Sequence, residues 1–163
     1  MDTAIAGLIV ITILVLAMLT LFHSFLSAQD TVSVSWQQMA GRMEERARTD
    51  LSPIGAETTP LGNAVEIMLS NEGDTKLADF EQWDVILQYT DGDGLVTTTW
   101  CSFGSGQNQW TRTIDDLFEP GILNPGEEMV IQALVSPGIG SPSTNIATVA
   151  TPNGITATAV FTH

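Results

Sequence analysis

Few residues of the types that perform enzymatic chemistry occur in this chain. Cys101 is the one cysteine, and the two histidines, His23 and His163, lie far from it in the sequence. A thiol needs a neighbouring base or positive charge to become a nucleophile. Cys101 lies between Trp100 and Phe103, so it is predicted to be a small buried apolar residue. A single cysteine forms no internal disulfide, so the fold does not depend on oxidation.

The acidic residues are the remaining candidates for chemistry. Asp91 and Asp93 lie in a turn and offer oxygen ligands of the kind that bind calcium, but the twelve-residue loop with a closing glutamate is missing. They are therefore predicted to form a plain hairpin turn, with a weak calcium site as the alternative. The adjacent acids at 115–116 and 127–128 point in different directions along a strand or loop. We predict no catalytic residue and no cofactor.

The net charge of −14 is concentrated in the C-terminal two thirds of the chain. Residues 51–163 contain 14 of the 19 acidic residues and only Lys76 and Arg112 as bases, which gives that part a net charge of −12. Such a surface repels phosphate backbones, so no nucleic-acid partner is expected. The charge suits either an ordinary acidic extracellular domain or one adapted to a salty medium.

The most apolar part of the chain is residues 4–22, AIAGLIVITILVLAMLTLF, where only Thr12 and Thr20 have polar side chains. As a helix this segment is about 28 Å long, close to the roughly 30 Å hydrocarbon core of a bilayer. A cleaved signal peptide has a shorter apolar region and a basic start. This chain opens with MDT and lacks that basic start.

The helical pattern continues well beyond the apolar segment. Apolar residues recur at steps of three and four at Leu21, Phe25, Ala28, Val32, Trp36, Met39, Met43 and Ala47. A helix is therefore predicted over about residues 3–50, roughly 70 Å long, and it ends before Pro53 and Gly55. Two interpretations remain open on this pattern. The helix is either a single-pass anchor with a stalk or the core-forming part of a polymer subunit.

After the helix the apolar pattern changes from helical to alternating. Residues 51–62, LSPIGAETTPLG, contain two prolines and two glycines and are predicted to be a hinge. About seven short strands follow, at 64–69, 83–89, 95–100, 110–113, 129–135, 146–150 and 155–161. The predicted fold class is α+β, with a long N-terminal helix and an all-β sandwich. The predicted domains are residues 1–50, the hinge 51–62 and the β domain 63–163.

This architecture resembles the type IV pilin superfamily, and within it the archaellins. Bacterial type IV pilins generally have glutamate at the fifth mature position, whereas this chain has Ile5, which favours the archaellin side. The β part resembles the immunoglobulin-like domains of archaeal surface and archaellum proteins. The sequences that carry this second resemblance are LSNEGDT at 69–75, WDV at 83–85 and LNPGE at 123–127.

The resemblance implies a structural subunit that polymerises into a helical cell-surface filament, an archaellum or type IV pilus-like fibre, for motility or adhesion. The helix would be inserted in the cytoplasmic membrane before assembly and would form the filament core afterwards. The residues expected to form that core are Ile5, Leu8, Ile9, Ile11, Thr12, Val15, Leu16, Leu19, Phe22, Phe25, Val32, Trp36, Met39 and Met43. The implied partners are other copies of the chain, the membrane, an assembly ATPase and a prepilin-type peptidase. The peptidase would leave Met1 as the mature N-terminus; the alternative is that Met1 is an initiator.

A second function class remains open. The archaellum stator proteins resemble this chain in having one N-terminal helix and an immunoglobulin-like domain. The alternative function is therefore a membrane-tethered binding module, such as a stator protein or a minor pilin, which would not polymerise.

Overall fold

The computed structural model describes residues 2–115 and 118–163, with side chains from residue 5 onward. The chain divides into two compact units, one that ends at Met43 and one that comprises Glu44–His163. The elements in chain order are the helix α1 (Asp2–Arg48) and the strands β1 (Leu51–Thr58), β2 (Ala64–Asn71), β3 (Asp84–Thr90), β4 (Val96–Phe103), β5 (Gln109–Ile114), β6 (Glu128–Leu134), β7 (Thr144–Ala150) and β8 (Thr156–Thr162). One short 3₁₀-helix, Phe80–Gln82, precedes β3. The predicted α+β class is confirmed.

Helix α1 contains 47 residues, and its bounds agree closely with the helix predicted over about residues 3–50. Its apolar part leaves no threonine hydroxyl without a partner among the described residues, because Thr12 donates to the carbonyl of Leu8 at 2.8 Å and Thr20 donates to the carbonyl of Ala17 at 2.8 Å. The segment can therefore lie in lipid or among other helices without an unsatisfied hydroxyl.

The predicted hinge at 51–62 is wrong for most of its length, because residues 51–58 form strand β1. β1 pairs with β2, and its register shifts between Pro53 and Gly55. A proline is tolerated where a strand has only one hydrogen-bonded neighbour or carries a bulge, and β1 has both features. Pro53 and Gly55 therefore belong to a bulged edge strand. This strand is the eighth, where about seven were predicted.

The eight strands follow the order β1-β2-β6-β5-β4-β3-β7-β8. Every neighbouring pair is antiparallel except β4 and β5, whose short parallel ladder pairs Ser102 with Gln109 and Phe103 with Trp110. This ladder joins two antiparallel halves, β1-β2-β6-β5 and β4-β3-β7-β8. The terminal strands β1 and β8 lie side by side, so the sheet nearly closes into a barrel. Each of the seven predicted strands overlaps one of β2 to β8.

One hydrophobic core fills the space between the two halves. Alternate residues of the central strands point inward, as in Val85, Leu87 and Tyr89 of β3. Trp110 of β5 is fully buried and meets Phe103 edge to face, with ring centroids 5.0 Å apart. The alternation that predicted these strands therefore reflects one face in the core and one face outside.

Cys101 is fully buried in this core, as the sequence predicted. Burial raises the pKa of its thiol to about 11, because the thiolate would lose its hydration. We expect a thiol-reactive reagent at pH 8 to leave Cys101 unmodified in the folded protein and to modify it stoichiometrically in denaturant. Mass spectrometry of the treated protein measures this. Rapid labelling of the folded protein would contradict the assigned burial.

Candidate assembly interface

Helix α1 presents the largest apolar surface among the described residues. Every described side chain from Ile5 to Met43 is exposed in the single chain, with Leu8 at 68% and Trp36 at 67%. In the described part of the chain, α1 is the one helix long and apolar enough to cross a membrane. Water-soluble monomers rarely expose so continuous an apolar surface, so α1 is a surface for lipid or for other protein chains.

All fourteen residues predicted to form a filament core lie on this exposed surface. The apolar side chains of residues 5–22 as a whole surround the helix, whereas Val32, Trp36, Met39 and Met43 of the second half follow one stripe. The four stripe residues are exposed in the described part of the chain, so their role in a filament stays a prediction. Met1, predicted to be the mature N-terminus, lies outside the described residues.

The last turn of α1 is bonded to the β domain, within the unit Glu44–His163. The Arg46 guanidinium donates to the carbonyl of Gly154 at 3.3 Å, and the Asn153 amide donates to the Thr49 hydroxyl at 2.9 Å. Thr49 is buried and in turn donates to the carbonyl of Glu45 at 2.7 Å. The turn between β7 and β8 therefore holds the C-terminal end of the helix.

The loop after β2 completes this joint from a second direction. The backbone N–H of Asp74 donates to the carbonyl of Arg48 at 2.8 Å, and those of Glu72 and Gly73 donate to the carbonyl of Asp50 at 3.0 and 3.1 Å. The first of these bonds satisfies the Arg48 carbonyl, one of those that a helix leaves unpaired at its end. The other two hold Asp50, just beyond the helix. The sequence analysis did not predict this joint, because Thr49 and Asn153 lie 104 residues apart and no local pattern connects them. The spacing of residues around Arg48 did not indicate a contact between the helix end and the β domain.

Gly73 offers a direct test of the joint. A Cβ at this position would lie within 3 Å of two backbone atoms, the Arg48 carbonyl oxygen and the Asp50 nitrogen, so Gly73→Ala forces the loop and the helix end apart. We expect a loss of about 1–3 kcal/mol in the free energy of unfolding of the β domain, measured by chemical denaturation. The matched control is Gly92→Ala, where nothing lies within 4 Å of the added Cβ. Equal stability of the two variants would contradict the joint.

The carboxylate of Asp91 belongs to its own turn. Its Oδ1 accepts hydrogen bonds from the backbone N–H groups of Asp93 and Leu95 at 3.0 and 2.9 Å, and its Oδ2 accepts one from the Thr97 hydroxyl at 3.3 Å. Asp91 is buried while Asp93 is exposed. The described residues contain no group of three or more histidine, cysteine or acidic side chains arranged to hold a metal ion. Calcium binding at this turn stays an untested alternative.

Two of the three sequence motifs of the β domain, LSNEGDT at 69–75 and LNPGE at 123–127, come together in space. Glu127 is buried, and its Oε2 accepts from the backbone N–H and the side-chain amide of Asn124 at 2.8 and 3.1 Å. The buried Asn71 donates to the carbonyls of Thr75 and Leu123 at 2.8 and 3.0 Å. These polar groups fix loops at one end of the sheet, so their role is structural.

No family model and no curated protein matches the chain, but solved structures do. The archaellum periplasmic stator protein FlaG from Sulfolobus acidocaldarius is 25% identical, with a TM-score of 0.54 over 69% of this chain and 99% of that one. The FlaF and FlaG stator complex from the same organism matches at 24% identity, with a TM-score of 0.52 over 68% of this chain and 87% of that one.

A filament structure matches over more of the chain. The archaeal flagellum of Methanospirillum hungatei strain JF1 has a TM-score of 0.60 and 16% identity, over 96% of this chain and 90% of that one. A match of this extent includes both the helix and the β domain, and at this identity it establishes likeness of fold alone. These neighbours are components of archaella and not enzymes. The chain is therefore archaellin-like in architecture, with the long N-terminal helix and β domain of archaellum proteins.

Proposed function

We propose that this chain is the structural subunit of a helical cell-surface filament of the archaellum type. The observation that carries the proposal is the continuously exposed apolar surface of α1 from Ile5 to Met43. Each methylene removed from water there contributes about 0.8 kcal/mol, so burial of this helix outweighs any single polar contact in the chain. Parallel packing of many copies buries that surface completely.

The helix has two environments in this proposal. Before assembly it lies in the cytoplasmic membrane, where its threonine hydroxyls already have carbonyl partners within the helix. During assembly it leaves the lipid and packs against other copies, so the apolar segment at 4–22 exchanges one apolar environment for another. A prepilin-type peptidase that exposes Met1 and a cytoplasmic assembly ATPase belong to this proposal, because archaellin-like subunits imply them.

The β domain forms the outer wall of the filament in this proposal. Its net charge of −12 keeps a densely repeated surface hydrated and soluble. The joint of Arg46, Thr49 and Asn153 gives the outer domain a fixed attachment to the last turn of the helix. Such an attachment would transmit force from the core to the wall.

A second candidate function is an archaellum stator. The match to the stator protein FlaG favours it, because that match has the higher identity, 25%, and covers 99% of the stator chain. The FlaG match covers 69% of this chain, and residues 51–163 make up about the same share of its length. A stator would keep α1 in the membrane as an anchor and would bind another protein through the β domain.

Shearing of the cell surface separates the two functions. The chain, carrying a short epitope tag after His163, is expressed in its native host, and sheared appendages and washed membranes are analysed by quantitative mass spectrometry. If the chain is a filament subunit, it is the major protein of the sheared fraction, and its N-terminus is Met1 after removal of a leader. A chain that stays in the membrane fraction and is absent from sheared appendages would overturn the filament proposal and favour the stator.

A further inference from the structure

One face of the β domain is almost free of charge. It is the outer face of the half formed by β4, β3, β7 and β8, all of whose residues the structure describes. Cross-strand pairs place Trp100, Ile86 and Thr148 in one row and Gln88, Ile146 and Val160 in the next. We call these six residues and the threonines around them the uncharged face.

Asp84 is the one charged residue on the outward-facing positions of these four described strands. It lies at the end of the face, and its Oδ1 accepts a hydrogen bond from Trp100 Nε1 at 2.8 Å. The opposite half differs, because its described outer surface carries Glu57, Glu66 and Glu128. A domain with a net charge of −12 therefore keeps one broad surface neutral.

We infer that the uncharged face is where the β domain of a second copy of this chain docks in the filament, an inference that rests on the proposed function. Charge selects this occupant. A basic partner would bind the acidic half and loops, whereas another copy carries the same negative charge and is repelled there. Two copies approach without that repulsion only where at least one of the meeting surfaces is neutral.

Trp100 is the anchor of this contact. It is 58% exposed, and its hydrogen bond to Asp84 fixes the orientation of the indole ring before any partner arrives. Tryptophan is one of the residue types enriched at the energetic centre of protein interfaces. The neighbouring threonine hydroxyls both donate and accept hydrogen bonds, so they can pair with polar groups of the other copy. Subunits of a helical filament meet head to tail, so the face contacts a different patch of the neighbour.

The first test uses full-length chains that assemble in the native host. Trp100→Glu adds a charge to the face, and we expect a loss of about tenfold or more in sheared filament mass at equal chain level. Trp100→Phe keeps an aromatic side chain and should retain most of the assembly. Thr113→Glu places the same charge on the exposed surface of β5 and should leave the filament mass within about twofold of the parent. Normal filament mass from Trp100→Glu would overturn the inference.

The second test identifies the occupant. Thr98→Cys places an exposed thiol on the face, and a thiol-linked benzophenone crosslinker is attached to intact filaments and activated by light. A crosslink to a peptide from the β domain of another copy supports the inference. A crosslink only to a different protein or to a glycan, or no crosslink at all, overturns the inference but leaves the filament function intact. Absence of the chain from filaments overturns both.

Discussion

Replacement of Leu14 by aspartate is expected to abolish filament assembly while leaving the β domain folded. Leu14 lies in the middle of the uncharged segment 4–22 and is 54% exposed in the single chain. A carboxylate at the centre of a membrane helix costs about 2.5–3.5 kcal/mol on insertion scales. In a filament core the same carboxylate would recur in every subunit, so the cost would repeat along the polymer. Because the β domain belongs to the other compact unit, it should not sense the change.

Two controls make this result specific to the filament core. Gln37→Asp introduces the same side chain on the helix face opposite the stripe of Val32, Trp36 and Met39, and it should permit assembly. Leu14→Ala shortens the side chain without a charge and should reduce assembly only partly. Sheared filaments are counted by electron microscopy, and the chain level in membranes is measured by immunoblot. Normal filaments from Leu14→Asp would show that residue 14 is not buried between subunits.

The second large effect concerns the core of the β domain. Trp110 is fully buried, and Phe103 packs against its ring, so Trp110→Ala leaves a cavity that the short β4–β5 ladder cannot close by itself. We expect a loss of about 3–5 kcal/mol in the free energy of unfolding. That loss is a large fraction of the 5–15 kcal/mol typical of a domain, so the variant should be partly unfolded at growth temperature.

Trp100→Ala is the matched control for this prediction. The residue type and the change are the same, but Trp100 lies on the exterior of β4 and is already more than half exposed. Its removal should cost well under 1 kcal/mol of stability. Urea denaturation followed by circular dichroism compares the two variants. Equal losses would contradict the assigned inside and outside faces of the sheet.

The helix and most strands could be predicted because their signals are local. The three- and four-residue spacing of apolar side chains indicates one continuous helix, and alternation in Val85, Leu87 and Tyr89 indicates which face of β3 is buried. Turn residues such as Asn153 and Gly154 indicate where the chain reverses direction between two strands. Each of these features depends on a few neighbouring residues, so a single sequence contains it.

The features that were missed depend on contacts between distant residues. Strand β1 contains Pro53 and Gly55, which are uncommon inside strands. The segment is a strand because it pairs with β2 and takes up a bulge between these two residues. The joint between the helix end and the β domain unites Thr49 and Asn153, which are 104 residues apart. The uncharged face likewise emerges only when the register of four strands places Trp100 beside Ile86. Periodicity in a single sequence contains none of these pairings.

The measurement that tests the central claim most directly is electron cryomicroscopy of sheared filaments from the native host, at a resolution that identifies side chains. The account predicts a filament built from this chain, with residues 5–43 of many copies packed in parallel along the axis and the β domains outside. Filaments made of another protein, with this chain found only as a membrane-anchored molecule, would contradict it.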